Sequence, residues 1–220
     1  MIPAQFEYHA PSSLQEAIGL LQSHGDEAKV LAGGHSLLPL LKLRFAAPGH
    51  LVDITKIPGL AGIRDEGSSI VIGALTTHQE VESSSLLKSK LPLLPEVVAE
   101  VADVQVRNRG TFGGSLAHAD PAADIPAAAL ALDAEATALG PGGSRTIKAT
   151  DFFTGVLTSA LRPDEILTEV RIPVPAGSTG SAYQKVPNMA SHYAIVGVAA
   201  RVTMSGGAVA SDSIAVTGAS

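Results

Sequence analysis

The chain has 220 residues, of which 45% are hydrophobic, so it can bury a substantial core in one large domain or two smaller ones. Its formal charge of -6 and its scattered Lys and Arg residues argue against a nucleic-acid-binding surface. The sequence contains no cysteine, which excludes iron–sulfur clusters, cysteine zinc sites, disulfides and catalytic thiols within it. Any redox chemistry performed here would therefore require an organic cofactor.

The sequence has no signal for a membrane or for secretion. No apolar run approaches the roughly 20 residues of a membrane-spanning helix. The N-terminal residues, MIPAQFEYHA, lack the basic flank and apolar segment of a signal peptide. We therefore predict no transmembrane segment and a cytoplasmic location.

The first quarter of the chain alternates helix and strand patterns. An opening helix is predicted with Ser12 and Gln15 in capping-box spacing and Gly25 as its terminator. AKVLA at 28–32 predicts a short strand that runs into the glycine-rich turn GGHS and then into the helical stretch LLPLLKLR. HLVDI at 50–54 predicts the next strand.

The middle of the chain predicts a hairpin, several helices and further strands. LAGIR and SIVIG flank the turn DEGS as a hairpin, and a helix begins at Thr77 with Glu80 in capping position. Residues 94–103 predict another helix. AEATAL and RTIKA predict paired strands, and EILTEVRIP alternates apolar and charged residues from Ile166 to Ile172 as a half-buried strand.

The segment PVPAGSTGS at 173–181 is rich in Pro, Gly and Ser and predicts a domain boundary. Beyond it, YAIVGVAARVTM and SIAVTGAS predict strands that run almost to Ser220. We therefore expect a second unit to begin near Ser181. Either a small sheet completes the fold here or the chain is truncated at this point.

Two glycine pairs occur in similar contexts, AGGHS at 32–36 and TFGGS at 111–115, and a serine closely follows each. Paired glycines let backbone N–H groups converge on an anion, and a helix start adds to the attraction. Two such turns facing each other would suit a diphosphate, but each could equally be an ordinary tight turn. Neither the GxGxxG fingerprint nor the phosphate loop GxxxxGK(S/T) occurs.

The segment HADPAAD at 118–124 admits several interpretations. His118, Asp120 and Asp124 are competent metal ligands, but the other six histidines form no HxxxH or HExxH set, so no metal site is predicted. Asp124 is placed to cap a helix or to accept hydrogen bonds from ribose hydroxyls. A serine hydrolase is disfavoured because GxSxG is absent. Tyr193 is either a strand-edge residue or a platform for a planar ligand.

The segments LAGGHSLLPLLKLR, LVDI, GALTTH, RNRGTFGGSLAHADPAAD, PDEILTEVRIP and HYAIVGVAA, in this order, resemble the FAD-binding medium subunit of the molybdenum hydroxylases. This family includes aerobic carbon monoxide dehydrogenase, xanthine dehydrogenase and related aldehyde or N-heterocycle dehydrogenases, and the carbon monoxide dehydrogenase medium-chain type is the most similar. The resemblance implies an α+β fold of the vanillyl-alcohol-oxidase (PCMH) type. An FAD-binding domain over 1–176, with subdomains of about 1–55 and 56–176, would bind FAD between the two, followed by the start of a C-terminal α/β domain over 177–220.

The resemblance also implies which residues contact FAD. One side of the diphosphate would be lined by Leu31, Ala32, Gly33, Gly34, His35 and Ser36. The other side would be lined by Thr111, Gly113, Gly114 and Ser115. The sugar or ribityl hydroxyls and the flavin would be contacted by Asp124, Ile166 or Leu167, Lys185 and Tyr193. The chain departs from the family in having VPNMAS where a basic pair often follows Lys185, and in having Phe112 where an aliphatic residue is usual.

The function implied by the resemblance is that of an oxidoreductase subunit without a catalytic acid or base of its own. A large partner subunit would carry the molybdenum cofactor, and a small partner would carry 2Fe–2S clusters. FAD in this chain would pass their electrons to an external acceptor, within a dimer of heterotrimers. The alternatives are a stand-alone flavin-dependent oxidoreductase and a non-catalytic anion-binding module.

Overall fold

A computed structural model describes residues 2–219 of the chain. Its first sheet is three-stranded and parallel, with the strand order β1-β3-β2. The elements of this part are β1 (Glu7–His9), α1 (Leu14–His24), a 3₁₀ helix (Gly25–Glu27), β2 (Ala28–Leu31), α2 (Leu37–Leu43) and β3 (His50–Asp53). Parallel strands need crossover connections, which the helices provide here. Helix α1 buries Ala17, Ile18 and Leu21 in the core beneath this sheet.

Helix α1 begins one residue later than the sequence pattern indicated. Ser13 is its N-cap and accepts a hydrogen bond of 3.2 Å from the N–H of Glu16, while the Glu16 carboxylate accepts one of 2.8 Å from the N–H of Ser12. The predicted Ser12–Gln15 pair is therefore wrong by one position. A carboxylate is favoured over an amide at the positive end of a helix, which explains why the cap pairs Ser13 with Glu16 and not Ser12 with Gln15. Gly25 ends the helix as predicted, with φ 52°.

The second sheet is antiparallel and five-stranded, in the order β4-β5-β10-β6-β7, and helices cover it. The elements are β4 (Ile63–Asp65), β5 (Ser69–Gly73), α3 (His78–Ser83), α4 (Ser85–Lys90), α5 (Leu93–Ala99), α6 (Val104–Arg107), α7 (Phe112–His118), α8 (Asp124–Ala131), β6 (Glu135–Gly140), β7 (Gly143–Lys148), α9 (Ala149–Phe152), β8 (Phe153–Gly155), β9 (Thr158–Ser159) and β10 (Ile166–Pro173). Strands β8 and β9 form a separate hairpin. Ile70 and Ile72 of β5, Phe112 of α7 and Ile125 of α8 are fully buried in the largest core.

Most of the predicted elements in this region are confirmed. The β4–β5 hairpin and the β6–β7 pair form as expected, and Thr77 caps α3 in a complete capping box with Glu80. The helix predicted over 94–103 is shorter in the structure, where α5 ends at Ala99. Ala102 has the positive φ of 44°, and Asp103 then caps α6.

A third sheet is formed by the last part of the described chain. It is antiparallel and consists of β11 (Ser178–Pro187), β12 (Ala194–Ser205) and β13 (Ala208–Thr217). It packs on α8 and α5, and the N–H of Gly218 donates to the carbonyl of Pro121 at 2.8 Å. This contact places the end of β13 beside the loop that leads into α8. Among residues 2–219, no helix combines the length and the apolar character needed to cross a bilayer.

Candidate functional site

A cavity of about 610 Å³ lies between the edge of the first sheet and the helices that follow β5. Its volume is typical of small-molecule and cofactor sites. Most of the predicted site residues line it, namely Ala32, Gly33, Gly34, His35, Ser36, Thr111, Gly113, Gly114, Ser115, Asp124, Leu167 and Tyr193. Leu31 and Lys185 do not line it. The fold therefore brings the two glycine pairs together at one cavity.

The first glycine turn presents unpaired backbone donors. It follows β2 and leads into α2, and Gly34 has φ 78°, a conformation that glycine adopts without strain. Within residues 2–219, the N–H groups of residues 33–36 donate to no other group of the chain. The Ser36 side chain makes no capping hydrogen bond either. His35 is held by a 3.0 Å contact between its Nδ1 and the carbonyl of Gly33.

The second glycine turn is hydrogen-bonded internally. The N–H groups of residues 112–115 donate to the carbonyls of Thr76, Ala74 and Thr111 and to the Thr111 hydroxyl, at 2.9–3.2 Å. A Cβ on Gly113 would lie 2.6 Å from the Cβ of Ala74, so this glycine allows α7 to pack closely on the end of β5. The second turn therefore differs from the symmetrical pair of amide-presenting turns that the sequence suggested.

The two turns are in direct contact. A Cβ on Gly33 would collide with the carbonyl oxygen of Arg109 and would lie 2.9 Å from the Cα of Gly110. An isolated antiparallel bridge between Thr77 and Thr111 holds the second turn against the start of α3. Backbone N–H donors without a protein acceptor, in a turn that lines the cavity beside a closely packed wall, fit an anionic group such as a diphosphate.

Asp124 is the first residue of α8 and is buried. The N-cap of this helix is Ala123, so the capping role considered for Asp124 is wrong. Its carboxylate accepts hydrogen bonds from the Tyr183 hydroxyl at 2.5 Å and from the Lys185 ammonium at 2.9 Å, and that ammonium also donates to the carbonyl of Glu100 at 2.8 Å. Lys185 is thus paired with Asp124 behind the cavity wall.

Burial and hydrogen bonding shift the pKa values of this cluster. Burial raises the pKa of Asp124, although the hydrogen bonds from Tyr183 and Lys185 oppose that shift. Burial and then the bond to Asp124 raise the pKa of Tyr183, which stays a neutral donor. Each carboxylate oxygen has more than one lone pair, so Asp124 can still accept a bond from a ligand hydroxyl in the cavity.

The apolar wall of the cavity comes from the start of β10. A register shift between Leu167 and Glu169, where β10 pairs with β6, interrupts the alternation of that strand. Ile166 and Leu167 are consequently both buried, and both line the cavity. Tyr193, directly before β12, also lines the cavity and is 42% exposed, so its ring is accessible to a ligand.

His78 is a site residue that the sequence reasoning missed. It is the first residue of α3, lines the cavity, and is 4% exposed. Within residues 2–219 its Nδ1 has no hydrogen-bond partner. Burial, with smaller contributions from Arg107 and His35, lowers its pKa to about 4, so the ring is neutral at pH 7. Its position after two threonines carries no local signal that separates it from an ordinary helix residue.

The metal interpretation of HADPAAD has no support within residues 2–219. His118 Nε2 and Asp120 Oδ2 are 4.0 Å apart, but the two residues form no group of three potential ligands with Asp124. Both residues line the cavity together with the second glycine turn.

Comparison with known proteins identifies the family. The family model for the FAD binding domain in molybdopterin dehydrogenase matches residues 4–175. The carbon monoxide dehydrogenase medium chain of Hydrogenophaga pseudoflava is 48% identical over 217 residues, which cover 99% of this chain and 76% of that one. The corresponding chain of Afipia carboxidovorans is 44% identical, with 99% and 75% covered.

A solved structure is similar over nearly the whole chain. This is the carbon monoxide dehydrogenase from Hydrogenophaga pseudoflava that lacks the Mo-pyranopterin moiety of the molybdenum cofactor. It matches with a TM-score of 0.96 at 49% identity, covering 99% of this chain and 76% of that chain. The predicted resemblance, FAD as the cofactor and the oxidoreductase class are thereby confirmed. The chain belongs to the family of FAD-binding domains of the molybdopterin dehydrogenases.

Proposed function

We propose that this chain binds FAD in the cavity and is the subunit of a molybdenum-containing hydroxylase or dehydrogenase that passes electrons to an external acceptor. The observation that carries the proposal is the set of unpaired N–H groups at residues 33–36, held against the second glycine turn at one cavity. Such donors favour the FAD diphosphate. When bound, FAD supplies one-electron and two-electron redox chemistry.

Each predicted contact residue then has a defined task. Leu31, the last residue of β2, positions the first turn without lining the cavity. Asp124 offers its remaining lone pairs to a ribose or ribityl hydroxyl. Lys185 acts as a positioning residue, because its ammonium holds the Asp124 carboxylate. Tyr193 and Leu167 line the cavity and would contact the flavin of bound FAD.

His78 adds one polar contact to this set. Its neutral ring carries an unpaired Nδ1 inside the cavity wall, where a polar atom without a partner is costly. A hydrogen bond from His78 to bound FAD would remove that cost. The wall therefore has one buried polar atom that only a ligand or a water molecule can satisfy.

The partners belong to the same proposal. The chain has no cysteine and so cannot hold the iron–sulfur clusters that connect a molybdenum centre to a flavin. A large subunit with the molybdenum cofactor and a small 2Fe–2S subunit would supply those centres, in a dimer of heterotrimers located in the cytoplasm. This chain's residues then bind and orient FAD, and none of them is required as a general acid or base.

We also propose the PCMH-type division of the chain. The two FAD-binding subdomains would be about 1–55, which contains the parallel sheet, and 56–176, which contains the five-stranded sheet. Residues 177–220 would begin the C-terminal domain. The support is that β10 ends at Pro173 and β11 begins at Ser178 in a separate sheet, and that the family match ends at 175.

The test is an FAD titration of the purified, FAD-depleted chain, followed by flavin absorbance and fluorescence. We expect uptake of one FAD per chain, and the change Gly33→Val should weaken it by about 100-fold or more, about 2.7 kcal/mol. The valine side chain would collide with the Arg109 carbonyl and separate the two turns. Gly142→Val is the matched control, because a Cβ there has no neighbour within 4 Å.

Two outcomes would contradict the proposal: a wild-type chain that remains colourless with FAD, or Gly33→Val binding FAD as tightly as Gly142→Val. Circular dichroism of both variants separates loss of binding from loss of folding. Substrate turnover by the chain alone, without molybdenum or iron–sulfur subunits, would favour a stand-alone oxidoreductase instead.

A further inference from the structure

Three histidines meet outside the cavity, at the first sheet. His9 ends β1, His24 ends α1, and His50 begins β3. Their ring centroids are 3.6 Å apart for His24 and His50, 5.3 Å for His9 and His50, and 5.5 Å for His9 and His24. None of the three lines the FAD cavity. The fold thus gathers three imidazoles from three separate elements at a second location.

The nitrogen atoms of the cluster lie at distances suited to one shared ion. One potential ligand atom from each histidine lies within 4.8 Å of the others. The Nε2 of His9 is 3.1 Å from the Nδ1 of His50. In a tetrahedral zinc site with Zn–N bonds of about 2.0–2.1 Å, the ligand nitrogens are about 3.3 Å apart. The His9–His50 pair is therefore already close to this spacing, and the third nitrogen lies within 4.8 Å of both.

A carboxylate stands beside the cluster. An oxygen of Glu7 lies 3.6 Å from the Nδ1 of His50, and Glu7 and His50 are paired neighbours across the parallel strands β1 and β3. The strand pairing therefore fixes this carboxylate next to the imidazoles. Glu27, in the 3₁₀ helix that follows α1, adds negative charge beside His50, since its carboxylate would lie 3.7 Å from a Cβ on the preceding residue, Gly49. The surroundings favour a cation at this position.

The ring orientations define the movement that binding requires. The three rings are stacked, with interplanar angles of 19–28°. Nitrogen lone pairs lie in the ring planes, so stacked rings direct them along nearly parallel planes. At least one ring must turn about χ2 for the lone pairs to converge. Terminal torsions of this kind are soft, and all three side chains are partly exposed, which leaves room for the turn.

We propose that His9, His24 and His50 bind one divalent transition-metal ion of the zinc class, with Glu7 as the fourth ligand or as the acceptor of a metal-bound water. Neutral imidazole suits zinc, copper and nickel, whereas magnesium and calcium prefer oxygen ligands. The ion would join β1, α1 and β3. Since β2 pairs with β3 and leads into the first glycine turn, the ion would stabilise the sheet that carries that turn.

The experiment uses the full chain without a polyhistidine tag, because a tag would bind the same metals. The metal-free protein is titrated with Zn²⁺ by calorimetry, and with Co²⁺ to read coordination geometry from its visible spectrum. We expect one equivalent to bind and Zn²⁺ to raise the midpoint of thermal unfolding. Loss of a residue that only hydrogen-bonds to a metal ligand weakens metal binding by roughly 10- to 100-fold. His24→Ala and His50→Ala each remove a ligand and should weaken Zn²⁺ binding by more than that, whereas Glu7→Gln should weaken it by about 10-fold.

The matched control is His192→Ala, which removes an exposed histidine remote in sequence from the cluster and should leave the Zn²⁺ affinity unchanged. FAD uptake is measured in parallel and should persist in His24→Ala, because His24 does not line the FAD cavity. If the wild-type chain binds no stoichiometric Zn²⁺, or if His24→Ala and His50→Ala bind it as tightly as wild type, the proposal is wrong. His24→Gln repeats the test should the alanine variant fail to fold.

Discussion

The segments Leu31–Ser36 and Thr111–Asp124 each contain a glycine pair closely followed by a serine and border the same cavity, yet their polar groups serve different purposes. In the first segment the turn amides have no acceptor within residues 2–219. In the second, the turn amides bond to the protein, Gly113 packs on Ala74, and Asp124 is held by Tyr183 and Lys185. A glycine pair therefore does not by itself present amides to a ligand. The carbonyls of Ala74 and Thr76, just after β5, determine the difference.

This contrast separates two kinds of consequence. Changes to polar groups in and behind the second segment should reduce the stability of the fold, because those groups satisfy one another inside the protein. Changes to polar groups of the first segment should reduce FAD affinity and leave the FAD-free fold intact. The following variants distinguish loss of stability from loss of FAD affinity. Unfolding free energies are measured on the FAD-depleted chain.

The largest effect is expected from Lys185→Met. The Lys185 side chain is 1% exposed and that of Asp124 is 6% exposed, so the substitution leaves a buried carboxylate without its cation. Breaking such a pair costs about 3–5 kcal/mol of unfolding free energy. Urea denaturation measures this cost, and Lys88→Met is the control at an exposed lysine of α4. A loss below about 1 kcal/mol would show that the second segment does not depend on this pair.

The double variant Lys185→Met with Asp124→Asn should recover part of the lost stability. It removes the carboxylate that the single variant leaves unpaired, and the Tyr183 hydroxyl can still donate to the amide oxygen. Purely additive losses would argue against coupling between the two residues.

The next effect is a pH dependence that arises from the His78 ring. The backbone N–H of His78 donates to the carbonyl of Gly110, the residue before the second segment, at 2.9 Å. The pKa of the ring is lowered to about 4 in the folded chain, so between pH 6.5 and 4 the unfolded chain binds a proton that the folded chain does not. The stability contribution is complete above about pH 6.5 and is lost as the pH falls, by roughly 3 kcal/mol near pH 4. Denaturation of wild type and His78→Leu across this range measures the difference. A profile unchanged by His78→Leu would contradict it.

The smallest effect is expected at the two serines that follow the glycine pairs, Ser36 and Ser115. Ser36→Ala should weaken FAD binding by about 3- to 10-fold, because the Ser36 hydroxyl belongs to the same turn as the unpaired N–H groups and can donate a further hydrogen bond to the ligand. It should not change the unfolding free energy, since Ser36 makes no capping bond. Ser115→Ala is the matched variant, and its effect on FAD affinity should be smaller. Equal losses of FAD affinity in the two variants would show that the segments contribute alike.

Much of the fold follows from local patterns. The Thr77–Glu80 capping box and the β4–β5 hairpin each depend on residues close in sequence, and both form, whereas the alternation predicted for β10 is interrupted at Leu167. The errors are local as well. At α1 the adjacent serines offered two cap positions, and Glu16 selected Ser13 over Ser12. In 94–103 the helix already ends at Ala99, and the positive φ of Ala102 then turns the chain, which composition alone did not indicate.

The sequence by itself determined many of the helices and strands, the two glycine turns, the absence of cysteine chemistry and the resemblance to flavin-binding subunits, but its patterns did not reveal β1, α4, α6, α9, β8, β9 or β11. Only the tertiary structure decided which turn keeps free amides, that Asp124 pairs with Lys185 and Tyr183, and that His9, His24 and His50 meet. The physical reason is that helix caps and turns are satisfied by neighbours along the chain. Burial, ion pairing and the pairing of amides in a loop instead depend on acceptors brought from distant parts of the sequence, which no local spacing encodes.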